Sequence, residues 1–237
     1  MRLDSYLTKN KYCKSREKAK ELIYEDKVKV NGFIINKPSF EISECAENQI
    51  ELDLKDALVS RAGKKLLGYF RTNAITCTGK KVLDVGSSTG GFAQVLLDFG
   101  AIEVVCVDVG FNQLDRSLRT DSRIRLFEKC DIRDFSYAEK FDLLVCDVSF
   151  ISLSKILDHL YIFSDELILL FKPQFEVGIG VKRNKKGVIV DKKAIQRSID
   201  EFSSEIQARS LIVCNIEKSL LKGKEGNEEF FIHIKKS

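Results

Sequence analysis

The chain has 237 residues, 44% of them hydrophobic and 31% charged, with a formal net charge of +4. That balance specifies a folded chain rather than a disordered one, and the length suits one core of ordinary size with a small appendage. No apolar run reaches the roughly 18 residues of a membrane span, no apolar run of signal-peptide length follows Met1-Arg2-Leu3-Asp4, and seven scattered cysteines without a Cys-x-x-Cys pair read as reduced thiols.

These features predict a cytoplasmic protein with no membrane partner. His159 and His233 are the only histidines and lie far from any ligand-like cluster, so neither a structural metal nor a Ser-His-Asp triad is expected. Residues 1–40 carry ten Lys or Arg against five Asp or Glu, which leaves the other 197 residues at −1. The basic surplus therefore belongs to the N-terminal segment.

Leu3, Tyr6 and Leu7 have helical spacing, and Ser15 can cap a second helix with Ala19, Leu22 and Ile23 on its apolar face. Val28 to Ile35 predicts a hairpin around an Asn31-Gly32 type I′ turn, and Ile50-Glu51-Leu52 predicts a closing strand. Such a small α+β module presents Arg2, Lys9, Lys11, Lys14, Arg16 and Lys18 on a rigid support. As a set these charges suit phosphate contacts, with release of condensed counterions.

A linker is expected over 55–60. It separates a domain over 1–54 from one over 61–237. Beyond it, strands near 81–85, 103–107, 124–128, 142–147, 166–171, 211–217 and 229–235 alternate with helices near 63–73, 91–99, 112–119, 152–163 and 191–209. That alternation predicts an α/β, mostly parallel sheet with helices on both faces.

The first strand of this region runs into Gly86-Ser87-Ser88-Thr89-Gly90-Gly91-Phe92. A glycine turn opening a helix clears side chains and aims backbone amides at a ligand. Its Gly-x-x-x-Gly-Gly spacing departs from the dinucleotide fingerprint and suits S-adenosylmethionine, which has no pyrophosphate to cradle. Asp84 is placed to hold the cofactor ammonium, directly or through water. Asp108 ends the second strand, where an acid accepts from ribose hydroxyls, and Asp131 is placed to receive the adenine amino group. Further on, apolar strands deliver Asp147 and Lys172 to the same carboxyl edge. Burying such a lysine is expensive unless it is paired, so the two are expected to be neighbours.

Ser60-Arg61-Ala62-Gly63-Lys64-Lys65-Leu66, the Gly86–Phe92 turn, Asp147-Val-Ser-Phe-Ile-Ser-Leu153, Lys172-Pro-Gln-Phe-Glu-Val-Gly178 and Gly226-Asn-Glu-Glu-Phe230 together resemble the TlyA (hemolysin A) family of ribosomal RNA 2′-O-methyltransferases. The resemblance spans nearly the whole chain. It implies a Rossmann-like class I methyltransferase domain behind an S4-type RNA-binding domain, with S-adenosylmethionine as cofactor and ribosomal RNA as partner. It also implies a catalytic tetrad of Lys65, Asp147, Lys172 and Glu229. Lys64 and Glu228 are neighbouring candidates.

Departures stand at Ala62, Ser87 and Leu58, where the family more often has glycine, a smaller residue and an aromatic. The chemistry expected of the tetrad is removal of a ribose 2′-hydroxyl proton, with Lys172 as base, Lys65 positioning the hydroxyl, and Asp147 and Glu229 orienting them electrostatically. Length at both ends resembles the short members of the family, which implies a cytidine of large-subunit RNA as target. The basic loop of Lys182, Arg183, Lys185 and Lys186 either closes over RNA or is a solvated loop. A noncatalytic assembly factor and a membrane-lytic protein are the competing readings.

Overall fold

The computed structural model describes every residue except 14, 45–46, 54–57, 179 and 237. Lys14, Cys45 and the linker positions up to Ala57 thus lie outside the described residues. The chain divides into two compact units, Met1–Ala57 and Leu58–Ser237.

In the first unit, α1 (Leu3–Lys9) and α2 (Arg16–Tyr24) precede a three-stranded sheet of β1 (Val28–Val30), β2 (Phe33–Ile34) and β3 (Ile50–Leu52), with β1 central and both pairings antiparallel. Ser15 caps α2 by accepting from the Lys18 amide. Asn31 and Gly32 take φ of 52° and 82°, as a type I′ turn requires. Leu3, Leu7, Ala19, Leu22, Ile23 and Val28 form the core.

Asp4 is fully buried beside that core, accepting from Arg2 Nε and Nη2 at 3.0 Å and from Arg16 Nη2 at 3.1 Å. The guanidinium of Arg2, reinforced by Arg16, holds the Asp4 carboxyl well below the usual carboxylate range. Two of the six cations assigned to RNA therefore also neutralise a buried acid.

The second unit begins with α3 (Arg61–Thr72) and continues through β4 (Lys81–Val85), α4 (Gly91–Asp98), β5 (Glu103–Asp108), α5 (Arg116–Arg119), β6 (Ile124–Glu128), β7 (Leu143–Cys146), α6 (Leu157–Leu160), β8 (Glu166–Phe171), α7 (Pro173–Glu176), α8 (Lys192–Ala208), β9 (Leu211–Lys218) and β10 (Phe230–Lys236). Its sheet has the order β6-β5-β4-β7-β8-β10-β9. β10 runs antiparallel to both neighbours, and the pairs from β6 through β8 are parallel.

Alternate residues of the buried strands feed two cores. Val82, Val104, Val145 and Ile168 pack under α3 and α4 with Leu66, Phe70, Phe92 and Leu96. Leu83, Val105, Leu144 and Leu169 pack on the other face with Leu157, Leu160, Ile199 and Phe202 of α6 and α8.

Two helices are shorter than the apolar pattern predicts. The helix over 112–119 is reduced to α5, because Asn112 has φ 56° and Asp115 caps the helix by accepting from the Ser117 amide. The helix over 152–163 becomes a 3-10 turn, Leu153–Lys155, followed by α6. Leu58, assigned to the linker by sequence, is buried with Leu66 and Phe92, and the Val59 amide donates to Gln94 Oε1 at 2.7 Å.

The first turns of α3 and α4 meet backbone to backbone. A Cβ on Gly63 would stand 2.7 Å from the Gly91 carbonyl oxygen, and one on Gly91 would stand 2.7 Å from the Gly63 nitrogen. This approach sets the height of α3, and hence of Lys65, over the sheet. Alanine normally gains up to about 1 kcal/mol over glycine inside a helix. Gly63→Ala should nevertheless lower the urea midpoint, since rigid backbone blocks the new methyl; an equal or higher midpoint would show that α3 can slide.

Candidate active site

Strand order reverses between β5 and β7 on either side of β4, and an open α/β sheet forms its ligand crevice at the carboxyl ends of the strands at such a point. The two loops that leave there are pressed together. Gly86 has φ +82°, and a Cβ on it would stand 2.6 Å from the Asp147 carbonyl oxygen. Only glycine satisfies both conditions.

Three of the cavities at this edge share walls. The first, about 570 Å³, is lined by Gly86, Ser88, Asp108, Asp131 and Ile132 among others. Its volume suits a nucleoside-sized ligand. The second, about 260 Å³, is lined by Ser60, Gly86, Ser88, Thr89, Gly91 and Phe92, together with Asp147 and Lys172. The third, about 510 Å³, is lined by Lys65, Lys172 and Glu229 with Phe150, Phe175 and Arg183. Ser149 lines all three, and Lys172 lines the second and third.

The expected tetrad is thus built as two ion pairs. Lys65 Nζ donates to Glu229 Oε2 at 2.5 Å, with 9% and 3% of the two side chains exposed. Lys172 Nζ stands 2.5 Å from Asp147 Oδ1, with 9% and 12% exposed. The first pair joins α3 to the residue before β10, and the second joins the loops after β8 and β7. Lys172 and Asp147 are neighbours, as the apolar strands before them predict. The alternatives separate clearly: Glu228 pairs with Lys218, and Lys64 is not on the wall of the third cavity.

Around the first two cavities the acids differ in their surroundings. Asp108 accepts from the Ser88 amide at 2.7 Å and the Gly110 amide at 2.6 Å, so both its oxygens are fixed at the cavity wall. Asp131 accepts from the Arg133 amide, Nε and Nη2, and that guanidinium holds its carboxyl at about 2. A carboxylate has about four lone-pair sites, so Asp131 retains less capacity for an adenine amino group than the sequence suggests.

Asp84 is fully buried under the turn, and neither of its oxygens has a hydrogen-bond partner among the described residues. Burial pushes its carboxyl well above the usual range, and the charges of Asp147 and Asp108 add to the rise against a smaller opposing influence of the nearby Ala93 amide. A buried acid left in this state is completed by a cation placed above it. S-adenosylmethionine carries two, its ammonium and its sulfonium.

Not every predicted cofactor residue reaches a cavity wall. Asp84 lies beneath it, and Gly90 faces away: it has φ +92°, and a Cβ there would collide with Leu114 and Leu118. The glycine at 90 serves the turn and its packing. Gly86, Ser88, Thr89, Gly91, Phe92, Asp108 and Asp131 do line the first two cavities. The orphaned Asp84 and the bare Gly86 cradle together fit the proposed cofactor.

Several wall residues escaped the sequence reading. Phe150 is 91% exposed with φ 67°, an unusual backbone for a bulky side chain, and its ring lies 5.4 Å from that of Phe175. The motif Asp-Val-Ser-Phe contained it, yet nothing in the pattern indicated a left-handed turn. Lys224 and Asn227 reach the third cavity from a loop without periodicity. Of the basic loop, Arg183 and Lys186 line that cavity, and Arg183 is tied down through Nη2 to the Gln174 carbonyl at 3.0 Å.

Among the described residues there is no helix long and apolar enough to cross a membrane and no His/Cys/Asp/Glu group able to hold a metal ion. Residues 58–236 match the model of the FtsJ-like methyltransferases, and residues 1–48 match the S4 domain. The chain is 43% identical to the 23S rRNA (cytidine-2′-O)-methyltransferase TlyA of Campylobacter jejuni, over all of both chains. It is 36% identical to the 16S/23S rRNA (cytidine-2′-O)-methyltransferase TlyA of Mycobacterium tuberculosis, over 99% of this chain and 89% of that one. A solved structure from Streptococcus thermophilus superposes with a TM-score of 0.71 at 30% identity, covering 100% of this chain and 88% of that one. By sequence, fold and length of match, the chain belongs to the TlyA family of FtsJ-like methyltransferases.

Proposed function

We propose that this protein transfers a methyl group from S-adenosylmethionine to the 2′-oxygen of a cytidine ribose in ribosomal RNA of the large subunit. The observation that carries the reading is the buried Lys65–Glu229 pair on one cavity with Lys172, which together with its partner Asp147 also lines the cavity of the glycine turn. A relative that matches over the full length of both chains is named for 23S RNA alone, which supports the choice of subunit.

The cofactor supplies, when bound, a methyl group already activated by its sulfonium. Gly86, Ser88, Thr89, Gly91 and Phe92 would hold its amino-acid part, Asp108 its ribose and Asp131 its base edge. Asp84 supplies negative charge beneath the turn. On the acceptor side, Lys65 Nζ positions the 2′-oxygen while Glu229 holds the ammonium in place. Lys172 Nζ, in its neutral form, takes up the 2′-hydroxyl proton, and Asp147 stabilises the ammonium that results. Exclusion of water from the cavity sharpens each of these charge contacts. The N-terminal unit, taken as 1–54, grips RNA, and the second unit performs the chemistry.

Transfer of labelled methyl from S-adenosylmethionine to ribosomal RNA, with mapping of 2′-O-methyl positions, tests the reading directly. Lys172→Met should cut methyl transfer by about a hundredfold or more and leave cofactor binding by calorimetry intact. Retained turnover would remove Lys172 as the base.

Asp84→Asn separates stability from function. The folded carboxyl titrates above its unfolded value, so above 3.8 folding must take up a proton at Asp84, and stability falls as pH rises from there toward the folded value and is unaffected below 3.8. The variant should melt higher than wild type near neutral pH, lose that advantage toward pH 4, and bind S-adenosylmethionine more weakly. A lower melting temperature at neutral pH would mean that Asp84 is satisfied in the free protein.

Among the described residues, the exposed Lys9 is paired with Glu44 alone and Lys11 has no ion pair. Such surface pairs exchange at little cost. Replacing both lysines with alanine should weaken RNA binding and flatten the slope of log K against log salt by about 1 to 2. Arg16→Ala should instead lower the stability of the N-terminal unit, since it strips Asp4 of a partner; an unchanged salt slope in the lysine variant would assign the RNA contact elsewhere.

A further inference from the structure

Lys172 Nζ makes two contacts that differ in kind. Its approach to Asp147 Oδ1 is a charge contact, and that oxygen has no aligned hydrogen bond among the described residues. The aligned hydrogen bond of the ammonium goes to Ser149 Oγ, at 2.9 Å. The lysine is nearly sealed, whereas Ser149 is exposed and stands where all three cavities share a wall. A ligand that fills the turn cavity and one that fills the tetrad cavity would both border this hydroxyl.

The hydrogen-bonding inventory gives the serine a role that Asp147 cannot have. A carboxylate accepts only, so the lone pair of a neutral Lys172 amine finds no donor there. A hydroxyl accepts and donates at once. Ser149 can donate to the lone pair of Nζ while its oxygen takes a hydrogen from a substrate hydroxyl.

We propose that Ser149 is a further catalytic residue, its hydroxyl a proton relay between the acceptor ribose and Lys172; the inference rests on the 2′-O-methyl transfer reading above. As the O–CH3 bond forms with an electron pair from the ribose oxygen, the S–CH3 bond breaks and its pair stays on sulfur. The 2′-hydroxyl proton passes to Ser149 Oγ, and the proton that Ser149 held passes to Lys172 Nζ. The ribose oxygen ends as a neutral ether, the serine is restored, and the new ammonium faces Asp147. Charge lost by the sulfonium reappears on the lysine.

The test compares Ser149→Ala and Ser149→Thr in the full-length protein. Ser149→Ala should lower kcat by about a hundredfold while the KM for ribosomal RNA and for S-adenosylmethionine stays within about twofold, and Ser149→Thr, which keeps a hydroxyl, should return kcat to within about fivefold of wild type. In the free protein, the NMR signal of the Lys172 side-chain nitrogen should shift in Ser149→Ala and return in Ser149→Thr. The relay is overturned by a kcat within about twofold of wild type in Ser149→Ala, by a loss carried in KM, by threonine as slow as alanine, or by an unmoved nitrogen signal. If wild-type protein transfers no methyl group to ribosomal RNA, it is the underlying function that fails.

Discussion

Two lysine ammonium groups lie almost out of water at one edge of a parallel sheet, and the site depends on each meeting a carboxylate there. Moving a charge of this size into a dry interior costs on the order of 20 kcal/mol in the idealised limit and still several in a relaxed protein. Lys65 and Lys172 are tolerated because Glu229 and Asp147 each come within 2.5 Å. Removing one partner of such a pair typically costs about 3–5 kcal/mol. The pairs therefore constrain four separate chain segments: the first turns of α3, the loops after β7 and β8, and the entry to β10.

The glycines make that convergence possible. Gly86 brings the turn against the backbone of Asp147, while Gly63 and Gly91 bring α3 down on α4. Cavity and tetrad are thus assembled by backbone contact, with charges then fixed by side-chain pairing. Asp84 is fully buried, its oxygens have no hydrogen-bond partner among the described residues, and burial holds its carboxyl well above the usual range.

Charge has a second use in the N-terminal unit. Within its basic surplus, Arg2 and Arg16 hold the buried Asp4, and Lys18 pairs with Glu21. A side chain can serve both ends if its aliphatic stem and one hydrogen-bonding edge face the protein while the rest faces solvent.

Much of this was legible in the sequence because it follows from local pattern. Alternation of buried strands and helices, the Asn31-Gly32 hairpin, the Ser15 cap and the glycine turn all act over a few residues, and the acids at strand ends inherit their place from the strands. The preference for Lys65 over Lys64 and for Glu229 over Glu228 came from the family resemblance, and the structure pairs Lys65 with Glu229 and Glu228 with Lys218. What only the tertiary structure decided involves partners distant in sequence. Lys65 and Glu229 are 164 positions apart, and no periodicity records which lysine meets which acid. The burial of Asp84, the diversion of Gly90 to packing, the claim of Arg133 on Asp131 and the placing of Ser149 between three cavities likewise arise from loops crossing at the switch point, where geometry is set by the whole sheet.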